Sequence, residues 1–284
     1  MEITYAEKVA QELWDLDVTP WKKHWVPVFR KFAKELVRQA QLTPGHIILD
    51  VGTGTGTAAF EAARHITRGF VIGIDRSPKM VNVARADHKR IKLGNLFFIE
   101  MNGEHMLFPN KLFDRALSNC GISNGTLPQT TREVFRVLQN GGQFCLNDWH
   151  LIDVPPHKTF SEILRIHRTA HPSGKLRKWR EALAIQERVG NQYLDLRRRV
   201  MDLEKAGFEK ISVRTRKYMI VLPRMQDYLK MRLDRIAIRQ ELLELTANQR
   251  NKFLNELRKN LRPYVHDDHF TIKWNVNFIQ ATKR

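Results

Sequence analysis

Cysteine is nearly missing from this chain: Cys120 and Cys145 are the two in 284 residues. Two cysteines give neither a disulfide framework nor a cysteine-rich metal site, so a reduced, cytoplasmic setting is the simplest expectation. Long apolar runs are missing as well. No stretch approaches the roughly 18 apolar residues of a membrane span. Residues 1–8, with Glu2, Glu7 and Lys8, lack the apolar core of a signal peptide. Internal repeats and low-complexity tracts are absent, which excludes a solenoid or a long disordered linker. Acid is the scarcer charge, with 30 Asp and Glu against 48 Lys and Arg and a formal net charge of +18. The imbalance sits in the second half: residues 1–150 carry 19 basic against 15 acidic side chains, and residues 151–284 carry 29 against 15. Such a field suits anionic substrates, nucleic acid or an anionic membrane surface. A general solubility bias explains it equally well, and no nucleic-acid motif accompanies it.

What is present reads as one globular α/β chain, 42% hydrophobic. Residues 5–41 read as helical, with Pro20 breaking them into two helices, and Leu42-Thr43-Pro44-Gly45 is a turn. Strand and helix signals then alternate. Strands are expected at 47–51, 70–75, 96–100, 113–118 and 143–148, with Asn140-Gly141-Gly142 as the turn before the last. Helices are expected between them, one of them N-capped by Ser77 with Pro78 in its first turn. Such a βαβ series requires a mostly parallel sheet with helices on both faces. Further on come helices near 160–167, 176–188 and 196–206, strand signals at 208–222, a long helical stretch at 225–261 stopped by Pro263, and an alternating final strand at 270–281.

The chemistry is concentrated in Asp50-Val51-Gly52-Thr53-Gly54-Thr55-Gly56, between the first strand and the first helix. Glycines at every second position let backbone approach a ligand closely, and the helix N-terminus behind them supplies unpaired N–H groups. Two cofactors fit the spacing. The frame Gly54-x-Gly56-x-x-Ala59, with Asp75 downstream, matches a dinucleotide fingerprint. The frame Asp50-x-Gly52-x-Gly54-x-Gly56 places a carboxylate at the head of the loop. That carboxylate repels a pyrophosphate and attracts a cation, so S-adenosylmethionine, with its ammonium and sulfonium and no phosphate, fits better.

Here the chain resembles class I S-adenosylmethionine-dependent methyltransferases, in particular the small-molecule branch of ubiquinone/menaquinone-type (type 11) enzymes. Residues 48–56 are similar to the family's first motif and residues 71–80 to its second. Residues 102–109, followed by Phe113-Asp114, occupy the place of its Asp-Ala-Glu-x-Leu-Pro-Phe segment, and residues 136–143 resemble the turn before the fifth strand. The likeness is close over residues 45–150 and looser at Ala206-Gly207-Phe208 and the last strand. It implies a Rossmann-like, seven-stranded, mostly parallel sheet with an N-terminal helical cap (1–44), a cofactor-binding core (45–150), helical lid insertions (151–195 and 223–264), a core helix and strand (196–222) and a final core strand (265–284). It also implies roles. Gly52, Thr53, Gly54 and Gly56 cradle the cofactor, and Asp50 reaches the methionine ammonium. Asp75 takes the ribose hydroxyls. Arg76 stacks on adenine, Met80 lines the adenine slot, Asn102 and Gly103 flank adenine, and Asn119 faces the methionine end. Asn102 stands where the family usually has Asp, so adenine would meet a neutral carbonyl oxygen.

Methyl transfer asks mainly for alignment of nucleophile and sulfonium. Where the acceptor must lose a proton, Asp148 and His150 after the fifth strand are the candidate bases, followed by His157, His167 and His171. The expected function is methyl transfer to a small apolar or anionic acceptor. An RNA or protein methyltransferase using the basic half is the alternative, as is a cofactor-binding module without catalysis. The cationic stretch Lys175-Leu176-Arg177-Lys178-Trp179-Arg180 could grip a phosphate, a nucleic-acid backbone or a membrane, or form a solvated helix face.

Overall fold

The computed structural model describes residues 2–123, 125–149, 154–193 and 195–284. The chain opens with α1 (Glu2–Pro20), a π-helical turn (Trp21–Trp25) and α2 (Val26–Gln39). The first α-helix ends at Pro20, as expected, but the chain does not leave the helical path there. The chain widens into one π turn, closed by Val26 N donating to Trp21 O, and stays helical. The wide turn stacks Trp21 on Trp25, with ring centroids 5.9 Å apart. The core follows as β1 (Ile47–Val51), α3 (Thr57–Ala63), β2 (Phe70–Asp75), α4 (Pro78–Ile91), β3 (Leu96–Glu100), β4 (Phe113–Asn119), α5 (Leu127–Val137) and β5 (Leu138–Trp149). Ser77 caps α4 as expected, its hydroxyl accepting from Met80 N at 3.1 Å. The turn expected at residues 140–142 lies inside β5 as an irregularity: the pairing with β4 jumps from Phe113↔Leu138 to Arg115↔Gln143.

The second half supplies α6 (Pro155–His167), α7 (Gly174–Asn191), α8 (Leu196–Lys205), β6 (Glu209–Leu222), α9 (Met225–Leu233), α10 (Ile236–Leu243), α11 (Ala247–Leu261), a short 3-10 turn (Arg262–Tyr264), β7 (Val265–His266) and β8 (His269–Thr282). The long helix expected over 225–261 is thus three helices. Asp17 of α1 accepts from Ile236 N at 2.7 Å, capping the second from outside the segment. The third starts at a capping box of Thr246 and Gln249.

Among the described residues the sheet has eight strands rather than seven. Seven run in the order β3-β2-β1-β4-β5-β8-β6, and the two-residue β7 pairs with β8. The five from β3 to β5 are parallel; β8 runs antiparallel to both β5 and β6, so β6 points the same way as the five. Neighbouring residues on one strand enter opposite cores. Ile48, Leu117, Cys145 and Phe278 pack under α2 and α3, while Leu49, Ala116, Phe144 and Ile279 pack under α5 and α8. Burial on both faces is what a parallel sheet clad by helices demands. The order reverses at β1, which has β2 on one side and β4 on the other, so a crevice opens above the C-terminal ends of these strands.

The cationic stretch of α7 is split: Lys175, Arg177 and Lys178 stay exposed, while Trp179 and Arg180 pack inward. Trp179 is fully buried against α1 and donates to Glu12 at 3.3 Å, Lys178 pairs with Glu12 at 3.0 Å, and Arg180 is held by Glu241. No described helix is long and apolar enough to cross a membrane.

Candidate functional site

Above the C-terminal ends of β1, β2, β4 and β5 lies a cavity of about 890 Å³, walled on its far side by α1, α6 and α7. Asp50, Gly52, Thr53, Gly54, Asp75, Arg76, Met80, Asn102, Gly103 and Asn119 all line it, as does Asp148. Gly56 is absent from its wall and has a different role from the one expected. It sits at φ +88°, and a Cβ there would lie 2.7 Å from the Phe98 ring, so this glycine lets the loop pack onto β3. Gly52 is demanded by backbone: a Cβ on it would stand 2.1 Å from the carbonyl oxygen of Gly121. Gly54 has nothing within 4 Å of that position and faces open cavity. His150 lies outside the described residues.

The loop is folded around two carboxylates. Asp50 is 1% exposed. Its Oδ2 accepts from Thr53 Oγ1 at 2.6 Å and from Ala59 N at 3.0 Å, while Oδ1 has no partner. Burial pushes this carboxyl up to about 7, against the two hydrogen bonds that favour the charge, and the neighbouring Asp75 adds to the rise. Asp75 accepts from Gly54 N at 2.8 Å and from Ser77 N at 2.9 Å. Its carboxyl is also raised by burial, opposed by those same bonds. One end of the cavity is therefore strongly acidic and holds an unsatisfied carboxylate oxygen, which suits a cationic ligand group and opposes a pyrophosphate.

Arg76, expected to lie on adenine, lines the cavity with its guanidinium paired to Glu7 of α1, and Glu7 also takes the Ser123 hydroxyl. Gln11 donates to Arg76 O at 2.9 Å, and Asp15 receives the Ser77 hydroxyl. The N-terminal helix is thus pinned across the second motif, and Ile3, Glu7, Gln11 and Trp14 become cavity wall. Asn102 has its Oδ1 turned to Glu104 N at 3.0 Å, which leaves the amide hydrogens for a ligand. Met80 is buried at the cavity edge. Asn119 accepts from Asn147 at 2.7 Å, and the Cys120 thiol donates to Asn147 at 3.0 Å. Burial, with the Asp148 charge, pushes that thiol well up, so Cys120 stays protonated and is no nucleophile.

Asp148 is bound to Arg199 of α8 at 2.8 Å, both side chains buried. In the sequence Arg199 is one of three consecutive arginines, Arg197, Arg198 and Arg199, in the basic second half. The only pointer to the interior was its helical register with Leu203, four residues on, which is also buried. Glu7, Gln11 and Asp15 lie on one face of α1 and carried no signal of their own. The same cavity is lined by His157 of α6, 1% exposed, and Arg232 of α9, 8% exposed, neither of which was assigned a cofactor role.

Comparison with known proteins agrees with this geometry. Residues 42–192 match a protein family described as a methyltransferase domain. The demethylmenaquinone methyltransferase of Symbiobacterium thermophilum is 34% identical over 122 residues, covering 42% of this chain and 49% of that protein. The chain spans about half the length of this and similar curated relatives. A putative methyltransferase from Bacillus halodurans superposes with a TM-score of 0.55 at 17% identity, covering 88% of this chain and 98% of the other. A phosphoethanolamine N-methyltransferase of Haemonchus contortus, solved with phosphomonomethylethanolamine and S-adenosylhomocysteine, gives 0.55 at 18% identity over 95% of this chain and 57% of that one. The structural likenesses concern the fold, a Rossmann-like sheet flanked by helices.

Proposed function

The chain belongs to the methyltransferase-domain family, and on that premise we propose that it is an S-adenosylmethionine-dependent enzyme transferring a methyl group to a small apolar or anionic acceptor. The observation that carries the reading is the orphaned Oδ1 of Asp50, buried at the head of the glycine loop. A buried carboxylate without a partner is costly, and an ammonium is the ligand group that satisfies it. The cofactor supplies a methyl carbon already activated by a sulfonium. The chain supplies position: Asp50 for the ammonium, Asp75 for two ribose hydroxyls, and Met80, Asn102 and Gly103 for the adenine end. With the donor held at the strand ends, the acceptor must approach from the side of α6, α7 and α9, residues 151–195 and 223–264. Quinol-type acceptors, suggested by the names of the curated relatives, are apolar members of this class.

Asp148, engaged by Arg199, orients the end of β5, and His150 remains assigned as a candidate base. Alignment of acceptor and donor is the main catalytic demand. A screen of labelled methyl transfer over quinol, phenol, amine, fatty-acid and RNA pools tests the reading. Label in a small-molecule pool supports it. Label in RNA alone, or in none while the protein binds the cofactor, defeats it.

A further inference from the structure

The part of the cavity lined by α6 and α9 has the opposite character to the acidic loop. Arg232 is more than nine-tenths buried, yet its guanidinium meets no carboxylate among the described residues. Its Nε has no hydrogen-bond partner, and Nη2 reaches only the Ser161 hydroxyl, at a long 3.4 Å. Its guanidinium lies over the Phe160 ring, with Cζ 4.8 Å from the centroid, a cation–π contact that offsets only part of the burial. Burial lowers the affinity of this group for its proton, as expected of a desolvated cation without a carboxylate partner. Such a cation is expensive unless something else completes it.

His157 stands beside it. The Tyr228 hydroxyl donates to Pro156 O at 2.7 Å, so its oxygen is the acceptor for His157 Nδ1 at 2.9 Å. Burial and the Arg232 charge keep the imidazole neutral. The proton therefore lies on Nδ1, and Nε2, which has no partner, presents a bare lone pair. Both side chains line the cavity. Along α6, Lys158, Ser161 and Arg165 recur at three- and four-residue spacing and line the same cavity, as does Arg168 just past its end. Glu162 among them pairs with Lys158 at 4.0 Å, and Arg165 and Arg168 leave the approach net positive. Trp14, Trp21 and Phe29 supply apolar wall nearby.

We propose that Arg232 and His157 form the acceptor subsite, and that the acceptor carries an anionic group, a carboxylate or a phosphate, on an apolar body. Arg232 donates to the anion, and His157 Nε2 accepts a hydrogen bond from a hydroxyl or N–H next to it. The proposal rests on the methyl-transfer reading only for the word acceptor, since anion binding is measurable without turnover.

The test is calorimetry with three probes of one shape, phenylacetate, phenyl phosphate and the neutral methyl phenylacetate, each titrated into protein preloaded with S-adenosylhomocysteine. An anionic probe is expected to bind about tenfold or more tighter than the ester, the scale of one charge-assisted hydrogen bond. Preference for phenylacetate or for phenyl phosphate identifies the carboxylate or the phosphate as the group received. Arg232→Met should erase the preference and Arg232→Lys should keep part of it, with S-adenosylhomocysteine affinity unchanged in both. Equal affinity for ester and anions in the wild type overturns the proposal, with no variant required. So does an undiminished preference in a folded Arg232→Met protein. Failure of the wild type to bind S-adenosylhomocysteine would count instead against the methyl-transfer reading.

Discussion

Replacing Asp50 by asparagine should make the ligand-free protein more stable and the liganded one weaker. Asp50 ionises near 3.8 in an unfolded chain and near 7 in the fold, chiefly because burial penalises its charge. Between these values the folded state holds a proton that the unfolded state has released. Stability therefore falls as pH rises from about 4 to about 7, then levels off. Three pKa units at about 1.4 kcal/mol each set an upper bound of about 4 kcal/mol. The substituted amide would still accept from Thr53 and Ala59, but its nitrogen would sit where Oδ1 now has no partner, at a cost of about 1–2 kcal/mol. A net gain of about 2 kcal/mol remains at pH 8, about 4–8 °C in Tm for a chain of this size. At pH 5 the gain should vanish. S-adenosylhomocysteine affinity should fall about tenfold with the loss of the ammonium's partner. Differential scanning fluorimetry at pH 5 and 8 checks the first claim and calorimetry the second. A variant less stable than wild type at pH 8, or equally shifted at both pH values, refutes the electrostatic reasoning.

Gly56→Ala combines left-handed backbone with a Cβ 2.7 Å from Phe98, and should cost about 2–4 kcal/mol in denaturant titrations. Gly54→Ala meets open space and should cost about 1 kcal/mol, while its methyl weakens cofactor binding seen by calorimetry. Arg199→Met leaves Asp148 buried without its cation and should cost about 3–5 kcal/mol by urea unfolding, with part regained when Asp148→Leu is added.

The donor half of the site was legible because its information is local. Asp50, the glycine loop, Asp75 and Ser77-Pro78 sit at strand ends that apolar β-branched runs reveal, and backbone geometry carries them to the cavity. Gly56 shows the limit of that reading, since a spacing that fits a cradle fits equally well a glycine needed for packing against Phe98. What stayed hidden depends on partners far apart in the chain. Asp17 caps Ile236 across 219 positions and divides a helix that looked continuous. Arg76 looked available for a ligand until α1 brought Glu7 to it. Among three consecutive arginines, tertiary packing selects Arg199 for the interior, and nothing in residues 225–261 marks Arg232 as the one that faces the cavity with no carboxylate partner of its own. The extra strand escaped for a simpler reason: Val265 and His266 are too short a run to give a periodic signal.

The central claim is that an acidic glycine loop holds a sulfonium cofactor, and titration of S-adenosylhomocysteine into wild type and Asp75→Ala tests it most directly. Binding in the micromolar range by the wild type, its loss in Asp75→Ala and no heat with NADH is the predicted result. Binding of NADH with none of S-adenosylhomocysteine would contradict the account.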